Sequence, residues 1–188
     1  MKWEEIQSLD MRYSDRLRFI EHGGLLRMLA IFMAHSADPW TSLIALFFLF
    51  LVGDAYWKLR ALVMIVGTFL TAGVIFVIKY TVRRRRPQGE WGMIYRVTNP
   101  HSFPSGHAAR CFMLAVVGFA LGPVWFGLLL LIWGILVSVS RVGMGVHYLS
   151  DIIVGSVIGL FMGWVTIVLY GNYEWIRIIF SPYLPLHL

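Results

Sequence analysis

Charge is scarce in this chain: 14% of its 188 residues are charged, against about 25% in an ordinary soluble domain. Cysteine is nearly absent too. Cys111 stands alone, which excludes an internal disulfide and says nothing about compartment. The N-terminal Met-Lys-Trp-Glu-Glu-Ile lacks an apolar run, so no cleavable signal peptide is expected. There is no internal repeat and no low-complexity tract. What stands in place of charge is apolar: 59% hydrophobic residues and a mean hydropathy of +0.72. That balance excludes a soluble globular domain and places the chain in a bilayer. The net charge of +6 would suggest nucleic acid as a partner of a soluble protein. Here it reflects basic loops flanking membrane spans and an anion to be handled, and no nucleic-acid partner is expected.

The expected fold class is all-α, an integral-membrane helical bundle of about five or six spans with an N-terminal amphipathic interfacial helix. Three regions are expected: residues 1–38 as N-terminal interfacial helices, 39–172 as the membrane-embedded core, and 173–188 as a short tail. In residues 2–21, Trp3, Ile6, Leu9, Tyr13, Leu17 and Ile20 recur every three or four positions. They make one apolar stripe that suits the membrane surface, or packing on the end of the bundle. Leu25–Ala34 is apolar apart from Arg27 and ends at Asp38-Pro39. At roughly a dozen residues it falls short of the ~20 that span, and reads as interfacial or re-entrant. Pro39 to about Gly53 can span if Asp54 and Tyr56 reach the headgroups. Ala61–Tyr80, Gly106–Leu121, Val124–Val139 and Tyr148–Tyr170 are the firmer spans, with a hairpin at Gly122-Pro123 and a polar loop over 88–103. Gly155, Gly159 and Gly163 share one face of the last span, the small-xxx-small spacing that lets another helix come close. Two crossings separate the 88–103 loop from the segment near 141–147, so both face the same side of the membrane.

At that side lie the polar groups that are costly near hydrocarbon. Lys79 closes one span and Arg86-Pro87 follows. Ser105, Gly106 and His107 open the next, Ser140-Arg141 ends the one after, and His147 and Asp151 begin the last. Ser105 can cap its helix while the first backbone N–H groups stay free, an anion site strengthened by the helix dipole. On its own, a Ser-Gly-His tripeptide at a helix start is more often only a cap. The i, i+4 spacing of His147 and Asp151 stacks them on one helical face. A carboxylate held against one imidazole nitrogen fixes the tautomer and leaves the other more basic, an arrangement for a nucleophile or base. Gly143 and Gly145 let the preceding backbone turn tightly. Lys79, Arg86 and Arg141 supply cations that can clamp a phosphate. Arg83 and Arg84 are candidates for secondary phosphate contacts, set against the plainer reading that basic residues beside a span anchor it to anionic headgroups.

Taken in order, Lys79-x6-Arg86-Pro87, Pro104-Ser105-Gly106-His107 and Ser140-Arg141-x5-His147-x3-Asp151 resemble the three-part signature of the type 2 phosphatidic acid phosphatase superfamily. That superfamily includes lipid phosphate phosphatases, undecaprenyl-diphosphate and phosphatidylglycerophosphate phosphatases, glucose-6-phosphatase and the soluble vanadium haloperoxidases. The resemblance covers roughly residues 58–170. It implies a phosphatase with no metal and no cofactor, working in two steps. His147 would attack phosphorus to give a phosphohistidine, oriented by Asp151. His107 would protonate the leaving oxygen and then activate water. Lys79, Arg86, Ser105, the Gly106 amide and Arg141 would hold the phosphoryl oxygens. Physical chemistry agrees, because phosphoryl transfer needs positioning and neutralisation of the equatorial oxygens above all.

A lipid phosphate or diphosphate is the expected substrate, since a site between spans at the bilayer surface admits a headgroup while the tails stay in lipid. Polyprenyl diphosphate, phosphatidate and phosphatidylglycerophosphate are the candidates, and the extra arginines lean toward a diphosphate. Transfer to a lipid acceptor, or binding and transport without chemistry, are the competing readings. The hydrophobic spans oppose a haloperoxidase. The protein is expected to be a multi-pass protein of the cell membrane. The side its site faces turns on whether Leu25–Ala34 crosses: if not, Lys2, Arg12, Arg16 and Arg18 join the site-side loops and the positive-inside rule puts the site in the cytoplasm.

Overall fold

Helix boundaries follow the few polar and helix-breaking residues. In the computed structural model, which describes residues 3–18, 24–88 and 99–172, seven helices form among the described residues. They are α1 (Trp3–Arg16), α2 (Leu25–Ser36), α3 (Pro39–Val52), α4 (Ala55–Val82), α5 (Gly106–Leu121), α6 (Val124–Gly143) and α7 (Leu149–Asn172). Asp54 caps α4 by accepting the Trp57 N–H at 3.0 Å. Arg83 ends that helix in the left-handed conformation at φ 52°. Pro39 opens α3 at the position where its missing N–H costs nothing. Gly122-Pro123 separates α5 from α6. Most of the 88–103 loop, Lys2, Ile20 and the 173–188 tail lie outside the described residues.

The chain is the helical membrane bundle its composition calls for, with fewer full-length spans than expected. Three helices, α4, α6 and α7, are long and apolar enough to cross. α2 and α3 are bent by 65° at their break and count as a fourth only if taken together. α3 alone has 14 residues, about 21 Å of rise against a hydrocarbon core of about 30 Å, so Pro39–Gly53 does not reach by itself. α5, with 16 residues, is likewise short. It is instead the central helix, with Ala108, Ala109, Cys111, Met113 and Val117 fully enclosed.

α7 reaches α5 through its glycines. A Cβ at Gly155 would stand 2.5 Å from the Ser105 carbonyl oxygen, and one at Gly163 would stand 2.6 Å from Val116 Cβ. Gly159 meets the Ala109 carbonyl more closely still. The small-residue face thus lets the two backbones touch. Leu46, Val63, Met64, Met113, Leu114, Val117 and Met162 form the main buried cluster among α3, α4, α5 and α7. α2 packs along the end of α6, where Ala30 and Ala34 meet Met144 and Val146. Large apolar side chains cover the outside, including Phe48, Phe69, Phe76, Trp125, Phe161 and Trp164. In water such a surface would aggregate; in a bilayer it is solvated.

α1 packs on the bundle and keeps an apolar stripe on its outer side. Leu9, Tyr13 and Leu17 face outward, as an interfacial stripe requires. The opposite face docks on the bundle: Asp10 accepts the Ser150 N–H at 3.0 Å and Ser14 Oγ accepts the Leu149 N–H at 2.9 Å. These are the first free N–H groups of α7, capped from another helix.

Candidate active site

The C-terminal ends of α4 and α6 and the N-terminal ends of α5 and α7 meet at one end of the bundle. Beyond α4 the chain runs extended. Arg85 bridges His101 in an antiparallel pair, and the Ser102 N–H donates to the Arg84 carbonyl at 2.8 Å. This pairing carries Arg86 over the entrance of α5. The Ser105 N–H in turn donates to the Asp151 carbonyl at 2.9 Å, tying the start of α5 to the start of α7.

A cavity of about 600 Å³ opens there, lined among others by Lys79, Arg86, Gly106, His107, Arg141 and His147. Six of the residues singled out from sequence therefore share one space. Ser105 lies just behind it, fully buried, with Oγ accepting the Ala108 N–H at 3.4 Å as the cap of α5. Asp151 also stands behind the wall, 0% exposed. Arg83 and Arg84 do not line the cavity. The Arg83 Nε donates to the Tyr80 carbonyl at 2.8 Å. Arg84 is held by carboxylates on both sides, Nη2 to Asp10 at 2.6 Å and Nη1 to Asp151 at 2.8 Å, and it stacks over the Tyr148 ring.

His147 is not on α7, as the four-residue spacing suggests, but in the turn before it. Gly145, at φ 65°, lets the chain reverse there at little cost. Asp151, in the first turn of α7, reaches back across the helix entrance. Its Oδ2 accepts the Tyr148 N–H at 2.9 Å and lies 3.3 Å from His147 Nδ1. The other ring nitrogen, Nε2, is 3.3 Å from Arg86 Nη1. A guanidinium only donates, so Nε2 accepts and Nδ1 carries the proton toward Asp151. The lone pair of Nε2 is thereby presented to the cavity beside a cation. Burial, followed by the charges of Arg86, Arg141 and Lys79, pushes the proton affinity of His147 well below the ordinary histidine value. At neutral pH its imidazole is uncharged.

Two of the cations, Lys79 and Arg86, are fixed before any ligand arrives. Lys79 Nζ donates to the His101 carbonyl at 3.0 Å and to Asn99 Oδ1 at 3.3 Å. Arg86 Nε donates to the Asn99 carbonyl at 2.7 Å and Nη1 to the Val146 carbonyl at 2.9 Å. Among the described residues, no three His, Cys, Asp or Glu side chains gather where they could hold a metal ion.

Sequence reasoning missed two ionisable lining residues. Arg110 lies one turn after His107 on the same face of α5, buried and lining the cavity. A lone arginine in an apolar run three residues from a histidine was the available signal. Asp38, whose sequence reads only as a helix stop before Pro39, lines the cavity as well. Its Oδ1 is 2.8 Å from His107 Nε2 and its Oδ2 is 3.0 Å from His35 Nδ1. Nothing local pairs positions 38 and 107.

A family model described as the PAP2 superfamily matches residues 60–175. A lipid A 4'-phosphatase of Bacteroides thetaiotaomicron is 38% identical over 63 residues, 33% of this chain and 28% of that protein. An undecaprenyl-diphosphatase of Sulfolobus acidocaldarius is 33% identical over 94 residues, 48% of this chain and 46% of that protein. The match thus spans less than half the length of these curated relatives. Two crystal structures share the fold. One is LpxE of Aquifex aeolicus, with a TM-score of 0.65 at 23% identity over 81% of this chain and 93% of that one. The other is a transmembrane PAP2-type phosphatidylglycerolphosphate phosphatase from Bacillus subtilis, with a TM-score of 0.73 at 20% identity over 91% and 89%. The matched segment takes in well over half of the chain and every signature residue from Lys79 to Asp151, and on that ground the chain belongs to the PAP2 superfamily.

Proposed function

We propose that this chain is a membrane phosphatase that hydrolyses a lipid phosphate or diphosphate through a phosphohistidine. The observation that carries the reading is the placement of His147 Nε2, uncharged and lone pair outward, in a cavity it shares with His107, Lys79, Arg86 and Arg141. In the first step Nε2 attacks phosphorus, the bond from phosphorus to the leaving oxygen breaks, and His107 delivers a proton to that oxygen. In the second, water attacks the phosphohistidine while His107 takes up its proton. The N–P bond breaks, phosphate leaves, and both imidazoles return to their starting states. Lys79, Arg86, Arg141 and the N-terminus of α5 neutralise the equatorial oxygens as charge develops on them. The fixed cations supply that neutralisation without a metal.

A lipid substrate is supported by the cavity's other wall. Trp40, Ala72, Ile75 and Phe76 continue from the charged end toward the lipid-facing surface of α3 and α4. The relatives named as a lipid A 4'-phosphatase and an undecaprenyl-diphosphatase point to the same class. We place the protein in the cell membrane as a multi-pass enzyme.

The test is phosphate release from a panel of lipid mono- and diphosphates by the purified protein in detergent with EDTA present. Wild type should release phosphate, and an acid-labile phosphohistidine should be trapped on rapid quench. His147→Ala should abolish release while still retaining bound substrate. Full release by His147→Ala would overturn the mechanism, and tight binding with no release by wild type would favour a carrier.

A further inference from the structure

We propose that Asp38 is the positioning residue for His107, so that the cavity holds two carboxylate–imidazole pairs, one for the nucleophile and one for the acid–base group. This rests on the proposed phosphatase reading. Asp38 lies outside the segment matched by the family model, residues 60–175, at the bend between α2 and α3.

The geometry there departs from what the position calls for. Asp38 occupies the N-cap of α3 with the extended backbone of a capping residue, φ −62° and ψ 150°, directly before Pro39. An aspartate in that place normally accepts a backbone N–H of the first turn. Asp38 makes no such bond. Both of its oxygens turn instead to imidazoles, Oδ1 to His107 Nε2 at 2.8 Å and Oδ2 to His35 Nδ1 at 3.0 Å. The Asp38 carbonyl is held separately, accepting the Thr41 hydroxyl at 2.8 Å. The carboxylate has been taken from the helix it should cap and given to the cavity.

The consequence for His107 is specific. An ionised carboxylate only accepts, so Nε2 of His107 carries a hydrogen and Nδ1 is left as the working nitrogen. With Nδ1 protonated, the ring can donate to the leaving oxygen; with Nδ1 bare, it can accept from water. Arg110 and Arg141 line the same cavity and oppose the charged ring, while Asp38 supports it. One carboxylate therefore serves both halves of the cycle, by fixing the orientation of the ring and favouring its charged form.

The experiment compares an alkyl phosphate ester with 4-nitrophenyl phosphate, whose leaving group departs without a proton. In the first turnover Asp38→Asn should slow the alkyl ester about 10²-fold, the usual size of a lost general-acid contribution. It should release the first nitrophenolate near the wild-type rate. The following turnovers should then stall, because water activation still needs His107. Asp38→Glu, which keeps the charge but moves it, should recover part of the alkyl-ester rate and keep the same split should Asp38→Asn prove unstable. Equal slowing of both first turnovers, or no slowing of either, would overturn the role of Asp38. Absence of phosphate release by wild type, or its persistence in His147→Ala, would instead overturn the phosphatase reading beneath it.

Discussion

His147 and Asp151 are four residues apart and meet at the entrance of one helix, whereas His107 and Asp38 are sixty-nine residues apart and meet only because the α2–α3 bend is seated against α5. The first pair is sealed, with side chains 1% and 0% exposed, while the second is open on its carboxylate side, at 14% and 33%. On the proposed mechanism, the difference in construction follows from what each group has to do. A nucleophile has to hold one tautomer and one direction, which a short covalent tether and a helix entrance provide. An acid–base group must exchange a proton with a leaving group and then with water, which needs room. Damage to α7 should therefore disable the nucleophile, and damage to the α2–α3 bend should disable proton transfer while sparing attack.

The largest effect should come from the sealed pair. His147→Ala should lower turnover by at least about 10⁴-fold, as loss of a catalytic nucleophile does elsewhere. Asp151→Asn should come next, at about 10³-fold. An amide at that place can no longer accept from His147 Nδ1–H, the Tyr148 N–H and Arg84 together. The loss should be the same for alkyl and nitrophenyl esters, since attack precedes any question of the leaving group. A leaving-group-dependent loss in Asp151→Asn would erase the distinction between the pairs.

The pH dependence sharpens the comparison. Attack needs uncharged His147, and its proton affinity is depressed by burial and by Arg86, Arg141 and Lys79. It therefore stays uncharged as pH falls through the ordinary histidine value of about 6.5. The acid limb of kcat/KM, which reports the free enzyme, should fall below that value. Arg86→Gln removes the cation beside Nε2 and should move the limb upward, alongside its loss of substrate affinity. A limb unmoved in Arg86→Gln would show that burial alone sets it.

How much of this was legible in sequence follows the same division. His147 and Asp151 could be paired on paper because four residues is a local distance, although the shared helical face turned out to be a turn leading into a helix. Lys79, Arg86, Gly106, His107 and Arg141 could be gathered because the hairpin of α5 and α6 returns the chain to the same end of the bundle. Asp38 could not. Its partner depends on the 65° bend between α2 and α3, and no periodicity encodes a bend. The surroundings of Arg84 were hidden for a related reason: its charge was visible, but not the two carboxylates that pair with it. Fewer helices reach full span length than hydropathy alone suggests, because hydropathy registers how apolar a segment is, whereas α3 and α5 are apolar and short.

The smallest expected effect tests whether the sealed pair is as self-contained as its spacing implies. Asp10, on α1, accepts from Arg84 and from both the N–H and the hydroxyl of Ser150. Arg84 spans from there to Asp151. Asp151, the partner of His147, is thus braced through a helix that lies outside the matched family segment. Asp10→Ala should uncap the first turn of α7, a loss of about 0.5–2 kcal/mol in stability by the usual cost of an N-cap. It should also leave Arg84 with Asp151 in place of two carboxylate partners. We expect turnover to fall severalfold and equally on alkyl and nitrophenyl esters, the pattern of the nucleophile's pair and the opposite of Asp38→Asn. A stability loss with turnover untouched would mean that α1 only fastens the bundle. A fall confined to the alkyl ester would mean that α1 reaches His107, and that the two pairs are one network.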